Sequence, residues 1–99
     1  MENKTLKQEI INKLKQLKED LNNTCLIDNI YHIVSNNFDK SNFAEFYDNA
    51  YIINQLCNIK WLQEKAKRLK AKGDIDFAQL YFNDTEYSIV NLIQYVQNI

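Results

Sequence analysis

Apolar residues recur along the chain at intervals of three and four positions, the spacing that places side chains on one face of an α-helix. The first stripe contains Leu6, Ile10, Leu14, Leu17 and Leu21. Lysine, glutamate and glutamine fill most of the intervening positions, as on a solvated face. The pattern predicts a first helix from about Asn3 or Thr5 to Leu21.

Asn22-Asn23-Thr24 predicts a turn that caps a second helix, because short polar side chains accept hydrogen bonds from the free N–H groups of a first helical turn. This helix is expected to end near Ser35, before Asn36-Asn37. Apolar residues occur around most of this short helix, so we expect it to be well buried.

The third and longest helix is predicted over about 42–72. Asn42 and Glu45 stand in the capping-box relation, and Gly73 stands where a helix closes with a left-handed residue. One apolar stripe contains Phe43, Phe46, Ala50, Ile53, Cys57 and Trp61; a second contains Ile52, Leu56, Ile59, Leu62, Ala66 and Leu69. A continuous helix of this length would span about 45 Å. That length leaves open a break near residues 57–60 or a helix that projects beyond the bundle.

Asp74 or Asp76 is predicted to cap a last helical region that extends to about residue 97. Asn83-Asp84-Thr85 leaves open a division into helices over 75–82 and 85–97. Residues 86–96 include a β-branched and aromatic run that favours a strand on propensity alone, but its apolar spacing is helical and no second strand is in sight. The sequence therefore predicts one all-α domain over residues 1–99, a small bundle of four or five helices.

The scarcity of helix-breaking residues supports this fold class. The chain has no proline and one glycine, residues that cost a helix interior about 3 and 1 kcal/mol relative to alanine. Residues 66–82 resemble the helical hairpin of a tetratricopeptide repeat at Ala66, Leu69, Gly73, Asp74 and Ala78. No second copy follows at the period of about 34 residues, so we interpret this segment as a single helical hairpin.

Charge and hydropathy argue against several classes of function. A net charge of −1 argues against a general polyanion binder, which usually has a basic excess. No apolar run is long enough to span a membrane, and the first residues lack the apolar stretch of a signal peptide. We expect a cytoplasmic protein without membrane contact, in which Cys25 and Cys57 stay reduced. The abundance of Asn, Ile and Lys leads to the hypothesis of an AT-rich genome, such as that of a low-GC bacterium, its phages or its plasmids.

The residue types needed for metal or catalytic chemistry do not form recognisable motifs. Cys25, His32 and Cys57 are the only soft ligands, whereas structural zinc requires four at characteristic spacing. Cys57 lies on an apolar stripe, so we expect it to fill core volume. Asp74 and Asp76 are explained by helix capping. We therefore expect no enzyme activity, no catalytic residue, no cofactor and no metal.

Residues 60–72 form the most basic segment, with six cations against Glu64. Lys65, Arg68 and Lys72 share a helix face by their spacing, and Trp61 lies one turn before them. A solvated helix end is the simplest interpretation, since cations suit the negative end of the helix dipole. An acidic protein and a nucleic acid are the alternative partners.

Aromatic residues form a second candidate surface. They cluster at the start of the long helix (Phe43, Phe46, Tyr47, Tyr51) and in the last helical region (Phe77, Tyr81, Phe82, Tyr87). We expect the Phe side chains to pack in the core. Tyrosine combines an apolar ring with a polar group and is typical of interfaces.

The sequence thus predicts a non-enzymatic binding or regulatory protein that docks on a larger bacterial protein and inhibits or neutralises it. Antitoxins, immunity proteins and the counter-defence proteins of phages or mobile elements act in this way. The predicted partner-binding residues are Tyr47, Tyr51, Trp61, Lys65, Arg68 and Lys72. A second hypothesis is nucleic-acid binding through the basic 60–72 face. A third is a homo-oligomer that holds a small anionic ligand between its subunits.

Overall fold

The computed structural model describes residues 4–99 and contains four α-helices in this part of the chain. They are α1 (Lys4–Glu19), α2 (Thr24–Asn37), α3 (Phe43–Ala71) and α4 (Ile75–Gln97). No strand occurs within residues 4–99. The all-α prediction is confirmed, with four helices rather than five. Asn3, the earlier of the two predicted starts of α1, lies outside the described residues.

The four helices form an antiparallel bundle. Each helix packs against the next one in the chain, and α1 closes the ring by packing against α4. Within the described chain, the diagonal pairs α1/α3 and α2/α4 make no close backbone contact. The connections over 20–23, 38–42 and 72–74 are short, as is typical of antiparallel neighbours.

The predicted caps of α2 and α3 are present. Asn23 Oδ1 accepts a hydrogen bond from the Leu26 N–H at 2.9 Å, and Asn42 Oδ1 accepts one from the Glu45 N–H at 3.2 Å. Asp74 occupies the cap position of α4, although its side chain accepts no capping hydrogen bond. These polar side chains explain why the helices begin where they do.

Gly73 closes α3 in the predicted left-handed conformation, with φ at +83°. The Gly73 N–H donates to the Lys70 carbonyl at 3.0 Å, and the Asp74 N–H donates to the Leu69 carbonyl at 2.9 Å. These bonds give partners to carbonyls of the last turn, which lack the usual donors four residues further along the helix. The chain then reverses directly into α4.

Both long helices are continuous, so neither of the two interruptions that the sequence left open occurs. α3 continues through residues 57–60, and α4 continues through residues 83–85. Asn83 and Asp84 are exposed, and the buried Thr85 donates its hydroxyl to the Tyr81 carbonyl one turn earlier, at 2.7 Å. The polar triplet therefore fits inside α4 without breaking it.

The core lies where the inner faces of the four helices meet. Its fully buried apolar side chains include Ile10, Leu14, Leu17, Ile30, Val34, Ile52, Ile59, Ile89 and Val96. The second predicted stripe of α3 supplies the inner positions, since α2 and α4 contact this side of the helix. No helix within residues 4–99 is long and apolar enough to cross a membrane.

Three predictions about burial are wrong. Phe43, Phe46 and Phe77, which we expected in the core, are exposed, and so is the Cys57 thiol, which we expected to fill core volume. Other helices pack only against the inner half of α3, so most of its first apolar stripe faces solvent. α2 is also less buried than expected: Tyr31 is 40% exposed.

The hairpin between α3 and α4 projects beyond α1 and α2. The connection between α1 and α2 lies beside Lys70 and Phe82, so the turn around Gly73 extends past it. Ile75 continues the spacing of the core residues of α4, but it is 57% exposed, whereas Ala78 is buried. The bundle, 46 Å long and 20 Å wide, therefore has one end formed by two helices alone.

Candidate protein-interaction surface

Aromatic contacts fix which side of α3 faces α4. The Tyr95 hydroxyl donates to Asp48 Oδ1 at 2.6 Å, and the Tyr95 ring stacks on Tyr51 with centroids 4.1 Å apart. Further along the helices, Trp61 meets Tyr81 edge to face at 6.1 Å. These contacts join the outer edges of the two helices along much of their shared length.

The Tyr95 hydroxyl is held in its neutral form. Burial is the main cause that raises the pKa of Tyr95 above its ordinary value, and the hydrogen bond to the Asp48 carboxylate adds to it. Both favour the protonated phenol, which is the form that donates to Asp48. Tyr95 therefore links α4 to α3 through both its hydroxyl and its ring.

The outer side of α3 and α4, away from α1 and α2, forms one continuous surface that we call the α3–α4 face. Residues three, four and seven apart lie on one side of a helix, and the contacts above fix its orientation. The face comprises Phe43, Tyr47, Tyr51, Asn54, Asn58, Trp61, Lys65, Arg68 and Lys72 of α3 and its C-cap, with Phe77, Leu80, Tyr81, Asp84, Tyr87, Asn91 and Tyr95 of α4. All six predicted partner-binding residues lie on this face.

Exposed apolar side chains are concentrated on the α3–α4 face. Nine large apolar or aromatic side chains are exposed within residues 4–99, and six of them belong to it: Phe43, Tyr47, Trp61, Phe77, Leu80 and Tyr87. Phe43 is 84% exposed, although we expected it in the core. Tyr51 is half-buried because it stacks on Tyr95, so it supports the face more than it offers free contact area.

The central part of the face carries no ionisable Asp, Glu, Lys or Arg. None occurs in residues 49–59 of α3 or in residues 87–99 of α4 and its end, which lie side by side, whereas α1 has seven among 16 residues. The exposed positions of the face there are Asn54, Asn58, Tyr87 and Asn91. Depletion of charge with enrichment of aromatics characterises the core of protein interfaces.

Charges reappear at the projecting end of the face. Lys65, Arg68 and Lys72, which we call the basic row, have no ion-pair partner: the only salt bridge within residues 4–99 joins Lys60 Nζ to Asp28 Oδ1 at 2.9 Å. That hydrogen bond raises the pKa of Lys60 and holds this cation on the α2 side. Lys60 is thereby removed from the predicted basic surface, and the basic row remains free.

The sequence prediction missed the contribution of α4. Leu80 and Asp84 lie on the outside of this helix, between Phe77 and Tyr87, at spacings of three and four. The signal is visible in the sequence only after the inner stripe of α4 has been assigned to the core. What remains is a second, outward stripe that includes exposed apolar side chains.

A separate cleft of about 330 Å³ lies between α2 and α3, lined by Tyr31, His32, Cys57 and the Asp28–Lys60 pair, among others. It brings together a thiol and an imidazole that the sequence analysis did not pair. Within residues 4–99, no three His, Cys, Asp or Glu side chains form a group that could hold a metal ion. The two charges at its rim neutralise each other, so the cleft offers no net charge to a ligand.

Comparisons with protein-family models, with curated proteins and with solved structures gave no match. The chemistry of the α3–α4 face is therefore the basis for the functional proposal.

Proposed function

We propose that this chain is a non-enzymatic binding protein that docks its α3–α4 face on a larger protein and inhibits or neutralises it. The observation that carries the proposal is the set of six exposed apolar side chains on a face whose centre is uncharged. Clustered exposed apolar side chains mark interaction sites, and aromatic residues supply most of the binding free energy at such sites.

The basic row gives the docking face an electrostatic preference. Three cations without ion-pair partners among residues 4–99 lie at one end of the face. They attract an acidic surface and orient it before contact. We propose that the target presents an apolar patch with acids at one edge. Trp61, which lies between the basic row and the uncharged centre, is the anchor of the interface.

The biological setting that we propose is the cytoplasm of a bacterium with an AT-rich genome. The chain would act there as an antitoxin, an immunity protein or a counter-defence protein of a phage or mobile element. Small size, the composition bias and the lack of recognisable catalytic motifs in the sequence support this class.

Nucleic-acid binding is the second candidate, because the free basic row lies beside an exposed tryptophan. It predicts an affinity that falls steeply with salt concentration, since phosphate contacts release counterions. Leu80 and Asp84 favour the protein target: an aliphatic side chain gains nothing from a phosphate backbone, and a carboxylate repels it. Both lie on the same face as the basic row.

The experiment is affinity capture of the tagged chain from nuclease-treated host lysate, with the combined variant Tyr47→Ala/Trp61→Ala beside the wild type. We expect a stoichiometric protein partner that the variant loses, because truncation of aromatic hot-spot residues costs about 2 kcal/mol or more each. The matched control is Tyr31→Ala, which removes an exposed tyrosine on α2, away from the face. Equal capture by all three proteins would contradict the proposal, and recovery that depends on nucleic acid would favour the second candidate.

A further inference from the structure

We propose that a second copy of this chain covers the α3–α4 face and forms a two-fold symmetric dimer. The inference goes beyond the docking function, because it depends on the charges and dimensions of the face and not on the identity of a target. A chain that self-associates in this way hides its docking surface until a target competes for it.

The face is large enough for a specific interface. The bundle measures 46 × 20 × 20 Å, so one long side covers roughly 900 Å², and a standard interface buries about 800 Å² per partner. Shielding this side would also cover most of the exposed apolar side chains of the molecule. α1, on the opposite side, carries seven charged residues and offers no comparable surface.

The charges of the face are self-complementary. The basic row lies on α3 and its C-cap, whereas Asp76 lies exposed on α4, one turn before Leu80, at the same end of the bundle. A two-fold axis parallel to the helices places α3 of each copy over α4 of the other. Each basic row then meets Asp76 of the second copy, and the contact occurs twice, as two-fold symmetry requires.

The opposite orientation is disfavoured by the same charges. An axis perpendicular to the helices would place each basic row over the end of the face that contains Tyr47 and Tyr95. Residues 87–99 supply no Asp or Glu there, and Asp48 already accepts a hydrogen bond from Tyr95. Glu45 lies one turn before the buried Asn49, on the inner side of α3 and off the face. Burying cations without counterions is costly, so we assign the orientation in which basic and acidic residues meet.

The test measures molecular mass by sedimentation from about 5 to 500 µM, a range that resolves micromolar dissociation constants. Two charge-reversal variants are compared with the wild type: Lys65→Glu/Arg68→Glu, and Asp76→Lys. The control is Lys4→Glu/Lys15→Glu, which reverses two exposed cations on α1. Circular dichroism establishes that each variant remains helical.

We expect a wild-type dimer, and a dissociation constant at least tenfold weaker for each face variant alone, since like charges then oppose each other twice. An equimolar mixture of the two face variants should restore the dimer as a mixed pair, while the α1 control should match the wild type. This rescue on mixing excludes misfolding as the cause of the loss.

A wild type that stays monomeric across the range would overturn the inference, as would a dimer that neither reversal weakens. A monomeric chain that still captures a target through Tyr47 and Trp61 would leave the docking function intact. Conversely, a dimer with the expected rescue but without any captured target would overturn the docking function alone.

Discussion

Gln63 is the residue in the core whose chemistry fits its surroundings least. Its side chain is fully buried, and neither its amide nitrogen nor its amide oxygen has a hydrogen-bond partner in the described part of the chain. An unpaired buried amide costs about 1 to 3 kcal/mol. Gln63→Met keeps the volume and removes the polar atoms, so we expect the free energy of unfolding to rise by about 1 to 2 kcal/mol.

Asn49 is the matched control for this substitution. It is also buried, but its side-chain amide donates to the Val34 carbonyl at 2.8 Å and joins α3 to α2. Asn49→Leu should lower the free energy of unfolding by about 1 kcal/mol. Urea denaturation measures both variants. A loss of stability in Gln63→Met would show that Gln63 has a polar partner in solution.

Tyr95 gives the molecule a predictable response to alkaline pH. The pKa of its phenol is raised in the folded state by burial and by Asp48, so above pH of about 10 the unfolded chain ionises while the folded chain stays protonated. The unfolded state then binds fewer protons. The stability supplied by Tyr95 is therefore present below this pH and is lost as the pH rises above it.

The variant Tyr95→Phe isolates this contribution. At pH 8 the wild type should be more stable by about 1.5 to 3 kcal/mol, the usual contribution of a hydrogen bond to a charged group. The difference should shrink in urea titrations above pH 10. A difference that does not change with pH would show that the phenol is not protected by burial and Asp48.

At the scale of single elements, Gly73 tests the connection between α3 and α4. Its φ of +83° lies in the left-handed region, and a Cβ at this position would meet nothing within 4 Å. Gly73→Ala should therefore lower the free energy of unfolding by about 1 kcal/mol, the cost of holding alanine in the left-handed conformation. Gly73→Asn should cost less, because Asn tolerates this conformation better. Equal thermal stability of all three proteins would mean that the turn relaxes to another conformation.

The extent of the elements follows well from local signals. Helix ends are marked by Asn23, Asn42 and Gly73 through hydrogen bonds within one turn. The donor and the acceptor of each bond lie a few residues apart, so a short stretch of sequence is enough to predict them. Which apolar stripe of α3 faces inwards was not predictable in the same way. Phe43 and Trp61 form as regular a stripe as Ile52 and Ile59, and only the positions of α2 and α4 decide between them.

At the scale of the whole molecule, the candidate surface was predicted only in part, because the packing of one helix against another decides which residues share it. The basic row and the aromatic residues of α3 lie along one helix, so their spacing in the sequence was sufficient to predict that they share one side of it. Leu80 and Asp84 join them only because α4 lies antiparallel to α3. The uncharged centre of the face arises in the same way, from two segments that are separate in sequence and adjacent in the bundle.

The central claim is that the α3–α4 face is the surface through which this protein associates, and Trp61 reports on it directly. It is the only tryptophan of the chain and is 51% exposed on that face. The measurement is acrylamide quenching of Trp61 fluorescence in the dilute, monomeric chain and in the complex recovered by affinity capture. The control is Tyr31→Trp/Trp61→Phe, which moves the fluorophore to α2.

We expect quenching of Trp61 to fall in the complex, with emission shifted to shorter wavelength, while the α2 probe stays equally accessible in both states. This result would place the partner on the α3–α4 face, since central anchors of an interface are shielded from water. Equal quenching of Trp61 in the free chain and in the complex would contradict the account.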